Sequence, residues 1–240
     1  MKIINSIFIA STILISQASF AIDDSDQIDM NKADLVNMIA AVTTSSFLLL
    51  NEDIEDISSS GLSAKEIKGL LFMREEEELA RDLYLDIYTA TGSRLNVFKN
   101  ISDNAETQHA EAMRVLLETY NIDDPSTGEH NTYTSAELQA LYDQLFNIAI
   151  GGDDLAALRV GALVEESDIE DINIQKDLVS LEHQDIISTY ENLLCGSRNH
   201  LRSFAKQIEK ITGSTYVTQV PAMDSEVQAI LSSDQEKCGK

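Results

Sequence analysis

The segment 104–120 constrains the fold most, because it places a carboxylate and an imidazole on the apolar face of a helix. With about 100° of rotation per residue, Met113 and Leu117 fall on one side of this helix. Glu106 lies almost at the centre of that side, and His109 follows one turn later. A carboxylate that faces a core is costly to bury unless it is paired, protonated or bound to a cation. The pattern therefore predicts a helical core that contains a polar site.

Composition supports long helices and an acidic surface. Two prolines and ten glycines in 240 residues are few, which favours uninterrupted helices over a strand-rich fold. Acidic residues outnumber basic ones by 41 to 17, so the formal net charge is −24. This charge argues against nucleic acid and anionic lipid as partners, because both are polyanions. It attracts cations, although a solvated acidic surface is its more common meaning.

The first residues predict export. Residues 1–21 have the pattern of a signal peptide, with Lys2, an apolar run and the small-residue cleavage site Ser19-Phe20-Ala21. We therefore expect a periplasmic or secreted protein, and the apolar run itself is too short for a membrane span. No span is expected in the mature chain either, since the apolar segment 31–50 is interrupted by polar residues. Residues 22–60 are predicted to be an N-terminal extension that contains one extra helix.

Export also allows disulfide formation, because secretory compartments are oxidising. The sequence has two cysteines, Cys195 and Cys238. We expect them to be bonded, which would pin residues 214–240, an acidic C-terminal tail, to the last long helix.

Capping signals and apolar periodicity predict four long helices within a domain at residues 61–213. Ser63 and Glu66 form a capping box at the start of the first helix, and Gly92 follows its end. A second capping box at Thr134–Glu137 opens a short helix within the connection 122–152, and Asp153 or Asp154 caps the next helix. The long helices are predicted over residues 63–91, 103–121, 155–172 and 184–213. A short loop, a long crossover and another short loop fit an all-α, ferritin-like four-helix bundle.

Each predicted helix carries polar residues within its apolar stripe. These intrusions are Glu76 and Glu77, Glu106 and His109, Glu165 and Asp168, and Ser197 and His200. Glu75, Glu78 and Glu166 are predicted to point away from the core. Any one buried carboxylate can be a salt-bridged core residue, but several close carboxylates repel one another and favour a bound cation. Periodicity leaves open whether Glu76 or Glu77 is the ligand from the first helix.

Four motifs resemble one known family. They are LFMREEEELARDLY at 71–84, the Glu106–His109 segment, VGA at 160–162 leading into EESDI at 165–169, and GSRNHL at 196–201. Together they resemble a ferritin-like domain family of unknown function, domain of unknown function 2202, over residues 61–213. The chain is more distantly similar to rubrerythrin and other di-iron carboxylate proteins.

The di-iron resemblance implies a set of metal ligands. They are Glu77, Glu106, His109, Glu165, Asp168 and His200. In the fourth helix Ser197 stands where those proteins carry a bridging glutamate. A hydroxyl cannot bridge two cations as a carboxylate does, so one ion is expected through Glu77, Glu106, His109 and Glu165. A second ion is expected to bind weakly or to be replaced by water, with His200 either a lone ligand or hydrogen-bonded in the core.

The resulting prediction is an exported ferritin-like metal-binding protein that acts as an oxygen- or peroxide-reducing oxidoreductase. Iron is the first choice of metal, with manganese or zinc as alternatives, because mixed carboxylate and imidazole ligands suit all three. The reductant would be external, since the sequence has no Cys-x-x-Cys electron-transfer motif. Two alternatives are a non-catalytic metal-binding or stress protein and a metal-free helical interaction domain. A homo-oligomer is compatible with all three hypotheses.

Overall fold

The structure, a computed structural model, describes residues 60–239. The predicted signal peptide and the extra N-terminal helix lie outside the described residues. Within residues 60–239 all regular structure is helical, which confirms the predicted all-α bundle. The helices are α1 (Ala64–Ala90), α2 (Asn96–Asn100), α3 (Thr107–Thr119), α4 (Ala136–Gly151), α5 (Asp154–Leu178), α6 (Gln184–Thr212) and α7 (Asp224–Leu231). No helix in this part of the chain is both long and apolar enough to cross a membrane.

Four long helical segments, α1, α2 with α3, α5 and α6, surround one core, and α4 lies in the crossover between α3 and α5. Three fully buried aromatic rings meet within that core. The ring centroids of Tyr84, Phe98 and Phe204 lie 5.0–5.5 Å apart. Gly161 on α5 makes room for them, because a Cβ at that position would lie 2.5 Å from the Phe204 ring.

The predicted helix starts depend on local hydrogen bonds. The Ser63 hydroxyl accepts a hydrogen bond from the Glu66 backbone N–H, and Glu66 accepts one from the Ser63 N–H at 2.7 Å, so the capping box is present. Asp153 caps α5 through the Ala156 N–H. The cap of α4 is Ser135, one residue after the predicted Thr134, because the Thr134 hydroxyl donates to the Pro125 carbonyl oxygen instead.

The second long helix differs from its predicted form. It begins at Asn96, and Ile101–Glu106 forms a π-helical segment before α3. The wider turn alters the register of the residues that precede α3, and Glu106 is its last residue. Simple periodicity did not indicate this segment. Such π-helical insertions are rare and often occur at functional sites.

The crossover covers the outer side of α1, and this corrects the prediction for Glu75 and Glu78. Both side chains are buried rather than exposed. Glu75 accepts hydrogen bonds from the N–H groups of Thr134 and Ser135, and Glu78 pairs with Arg74 at 3.0 Å. Glu75 therefore fastens the crossover to α1, and neither carboxylate faces solvent.

The segment after α6 covers α5 and α6, and this corrects the prediction for Glu166. Glu166 is fully buried and accepts hydrogen bonds from the Tyr216 hydroxyl at 2.6 Å and from the Gln219 N–H at 2.8 Å. The predicted Cys195–Cys238 disulfide is present and closes a loop of 43 residues. In the chain-entropy model such a loop stabilises the fold by about 4 kcal/mol.

Candidate metal centre

Five of the six predicted ligand residues converge in the middle of the bundle. Glu77 comes from α1, Glu106 and His109 from the second long helix, Glu165 from α5 and His200 from α6. All five are at most 8% exposed. Their helices carry them inward because each lies on the apolar stripe of its own helix.

The first group of ligands consists of Glu77, Glu106 and His109. The His109 Nδ1 atom lies 3.2 Å from Glu77 Oε2 and 3.3 Å from Glu106 Oε2. One donor atom from each residue lies within 4.8 Å of the others. This group can hold a metal ion between two carboxylates and one imidazole.

The second group consists of Glu106, Glu165 and His200. The His200 Nδ1 atom lies 2.8 Å from Glu106 Oε1 and 3.3 Å from Glu165 Oε2. Its donor atoms also lie within 4.8 Å of one another. Glu165 was predicted to bind the first ion, but α5 packs against α6 and therefore brings Glu165 to His200.

Glu106 belongs to both groups. Its Oε2 atom faces His109 and its Oε1 atom faces His200, while the two imidazole rings lie 5.6 Å apart between centroids. One carboxylate with an oxygen directed to each of two ligand groups is the arrangement of a bridging ligand. The structure thus pairs two equivalent donor sets around a shared glutamate.

Asp168, the sixth predicted ligand, lies outside both groups. Its Oδ2 atom is 2.5 Å from the Ser197 hydroxyl, which is 3.0 Å from the Leu193 carbonyl oxygen. Burial, with Glu77 and Glu165 nearby, raises the pKa of Asp168 well above its usual range. A protonated Asp168 can donate to the Ser197 hydroxyl, which then donates to the Leu193 carbonyl oxygen.

Glu76, the alternative ligand from α1, does not join either group. It is buried and faces Asp171 of α5. The structure therefore favours Glu77 over Glu76 as the ligand from α1.

Two neighbouring residues shape the centre. The Tyr84 hydroxyl lies 2.7 Å from Glu165 Oε1 and orients that carboxylate by hydrogen bonding. Gly196 allows the His109 ring to approach α6, because a Cβ there would lie 2.4 Å from His109 Nε2. This role of Gly196 could not be predicted, since a glycine inside a helix indicates close approach only once the neighbouring helix is known.

The imidazoles and carboxylates of the centre shift one another's pKa values. Burial alone would lower the pKa of His200, but Glu165 and Glu106 outweigh it and raise this pKa to about 10. The pKa of His109 is raised in the same way by Glu77 and Glu106. Burial alone would raise the pKa of Glu106, but His200 and His109 hold it below its usual range. Protonated imidazoles therefore compensate the carboxylates when no cation is bound.

Two buried polar atoms of the centre lack a hydrogen-bond partner even when the histidines are protonated. The His200 Nδ1 atom makes no hydrogen bond of acceptable geometry, although an oxygen of Glu106 lies close to it, and Glu77 Oε1 has no partner. A buried polar atom without a partner costs about 1–3 kcal/mol. Both atoms belong to the candidate ligand groups, so the residues present fit a metal ion.

Comparisons with known proteins place the chain in a family. The family model described as "Uncharacterized protein domain (DUF2202)" matches residues 66–234. The chain is 38% identical over 189 residues to the uncharacterized protein MJ0754 of Methanocaldococcus jannaschii. The aligned region covers 78% of this chain and 97% of that protein. The crystal structure of the hypothetical protein MJ0754 matches with a TM-score of 0.65 and 36% identity, over 73% of this chain and 96% of that one. The similarity to rubrerythrin stays a prediction. The chain belongs to the DUF2202 family.

Proposed function

We propose that this protein is an exported metal-binding protein that holds two transition-metal ions in its bundle core. We further propose that it uses iron to reduce oxygen or peroxide with electrons from an external reductant. The observation that carries the proposal is the sharing of Glu106 by two ligand groups, each with two carboxylates and one imidazole. Such mixed donors suit iron and also accept manganese or zinc.

The chain's own residues would divide the work at this centre. Glu106 would bridge the ions, His109 and His200 would each bind one of them, and Tyr84 would hold Glu165 in place. Bound non-haem iron would supply one-electron chemistry with oxygen or peroxide. The surrounding core would exclude water, because the ligand side chains are almost fully buried.

Replacing the shared ligand tests the proposal. Metal-free full-length protein would be titrated with ferrous ion under anaerobic conditions, followed by calorimetry. We expect two ions per chain for the parent and loss of both in Glu106→Ala, because each group loses a carboxylate. Glu111→Ala is the matched control, since Glu111 lies on the same helix with an exposed side chain paired to Arg114. Two ions in Glu106→Ala, or none in the parent, would contradict the proposal.

A non-catalytic metal-binding role is the second candidate. The observation that favours it is Ser197, which bonds to Asp168 at the position where a second bridging carboxylate would stand. Peroxide consumption by iron-loaded protein with a chemical reductant would separate the two roles. Turnover that disappears in Glu106→Ala supports the oxidoreductase, and binding without turnover supports the second candidate. For these assays the protein would be taken from the cell envelope, where export predicts a chain that begins at Ile22.

A further inference from the structure

A second buried carboxyl pair lies in the seam between α1 and α5, outside both ligand groups. Glu76 of α1 and Asp171 of α5 are 8% and 5% exposed, and their side chains face each other across the seam. Two carboxyl groups can lie side by side in a core only when one of them is protonated or a cation binds between them. Among residues 60–239, neither side chain forms an ion pair with a basic residue.

Two further observations indicate that protons leave this pair incompletely satisfied. Glu76 Oε2 is buried without a hydrogen-bond partner, and so is Gln175 Oε1. Gln175 is 5% exposed and follows Asp171 by one turn on the same face of α5. Its Oε1 atom is directed towards α1, where a Cβ at Gly69 would lie only 2.5 Å away. Three oxygen-bearing side chains thus line one seam, and two of them carry an unpaired oxygen.

The number of buried carboxylates in the core also indicates that this seam needs protons or a cation. The carboxylates of Glu77, Glu106 and Glu165 already belong to the two ligand groups. Glu76 and Asp171 add two further carboxylates to the same interior. Because isolated charges are expensive to bury, these two require either protons or a further cation.

We propose that Glu76, Asp171 and Gln175 form a third cation site, which binds a hard divalent ion through oxygen atoms alone. Carboxylate and amide oxygens are the donors that manganous, magnesium and calcium ions accept. The absence of an imidazole distinguishes this site from the two ligand groups around Glu106. The inference extends the proposed function, but its ligands do not overlap with those groups.

Manganous ion is the probe, because it binds to oxygen donors and is paramagnetic. Metal-free full-length protein would be titrated at 0.15 M salt, and the number of tightly bound ions would be counted. We expect three ions for the parent, two for Asp171→Asn and two for Glu76→Gln, since each variant replaces a charge by an amide of similar shape. Asp177→Asn is the matched control on the same helix, because Asp177 is exposed, and it should keep three ions.

The identity of the remaining ion separates this inference from the proposed function. Glu106→Ala should retain one manganous ion, whose pulsed electron paramagnetic resonance spectrum lacks coupling to a histidine nitrogen. Retention of that ion together with its loss in Asp171→Asn supports the third site. Two ions in both the parent and Asp171→Asn would overturn the third site and leave the proposed function intact. One oxygen-ligated ion in both the parent and Glu106→Ala would overturn the proposed function and leave the third site intact.

Discussion

Gly196 controls how closely the His109 ring approaches α6. Its missing side chain leaves the space that the imidazole occupies, one residue before Ser197 and one turn before His200. The position of His109, and with it the distance to Glu77 and Glu106, depends on this contact. A residue without any functional group can therefore determine whether the first ligand group is assembled.

The Gly196→Ala variant tests this dependence. The added Cβ would lie 2.4 Å from His109 Nε2, so the ring must move away from its two carboxylates. We expect the affinity for the first ion to fall by about tenfold or more, equivalent to about 1.4 kcal/mol, while helix content is retained. Calorimetric titration with ferrous or manganous ion measures the change.

Gly152→Ala is a suitable control, because it also introduces a close contact, with Ala156 at 2.4 Å, but it lies at the junction of α4 and α5. It should leave metal affinity unchanged. If Gly196→Ala binds both ions as tightly as the parent, His109 is not held by this contact.

Among the helices, α1 both supplies a candidate metal ligand and anchors the crossover. Its inward face carries Glu77 and Tyr84, while its outward face holds the crossover through Glu75, Asp82 and Asp86. His130 of the crossover lies between two of these carboxylates, with Nε2 at 2.9 Å from Asp86 and Nδ1 at 3.3 Å from Asp82. The crossover that joins the two halves of the bundle is thus fixed to the helix that supplies a candidate ligand.

This contact predicts a pH dependence of stability. Burial alone would lower the pKa of His130, but Asp86 and Asp82 outweigh it, despite Arg81, and raise the pKa above its usual range. A raised pKa in the folded state means that the contribution is complete below about pH 6.5 and is lost as the pH rises through the folded-state pKa.

His130→Gln should therefore reduce the free energy of unfolding more at pH 6 than at pH 9. Because the imidazole is nearly half exposed, the difference should stay below about 1 kcal/mol. Urea denaturation of the parent and the variant at both pH values provides the measurement. An equal loss at the two pH values would show that the charge of His130 does not hold the crossover.

For the whole molecule, a net charge of −24 and a core rich in carboxylates both oppose compactness in the absence of cations. A cation that binds only the folded state shifts the unfolding equilibrium by mass action. At a free concentration one hundred times the Kd, one site adds about 2.7 kcal/mol to the free energy of unfolding.

We therefore expect manganous or ferrous ion to raise the thermal midpoint of the parent, and a chelator to reverse the increase. Glu106→Ala should lose most of this stabilisation, whereas Glu111→Ala should keep it. Differential scanning calorimetry with and without the metal measures the effect. An equal increase in both variants would mean that the cations act on the acidic surface and not in the core.

The sequence by itself determined which residues turn inward along each helix. The 3.6-residue period and the capping groups Ser63 and Asp153 depend only on neighbours in the chain, so they predicted the helices, the bundle and the inward direction of Glu106 and His109. The even number of cysteines in a chain predicted to be exported likewise predicted the Cys195–Cys238 disulfide. All of these are local or pairwise constraints.

Only the tertiary structure decided which inward residues meet and which outward residues are covered. Periodicity gives the direction of a side chain about its own helix axis but not the helix that lies opposite, so the pairing of Glu165 with His200 could not be derived. Glu75 and Glu166 were expected to face solvent because their covering segments lie more than 45 residues away in the chain. The π-helical turn before Glu106 and the contact of Asp168 with Ser197 depend on packing between helices, which no local pattern records.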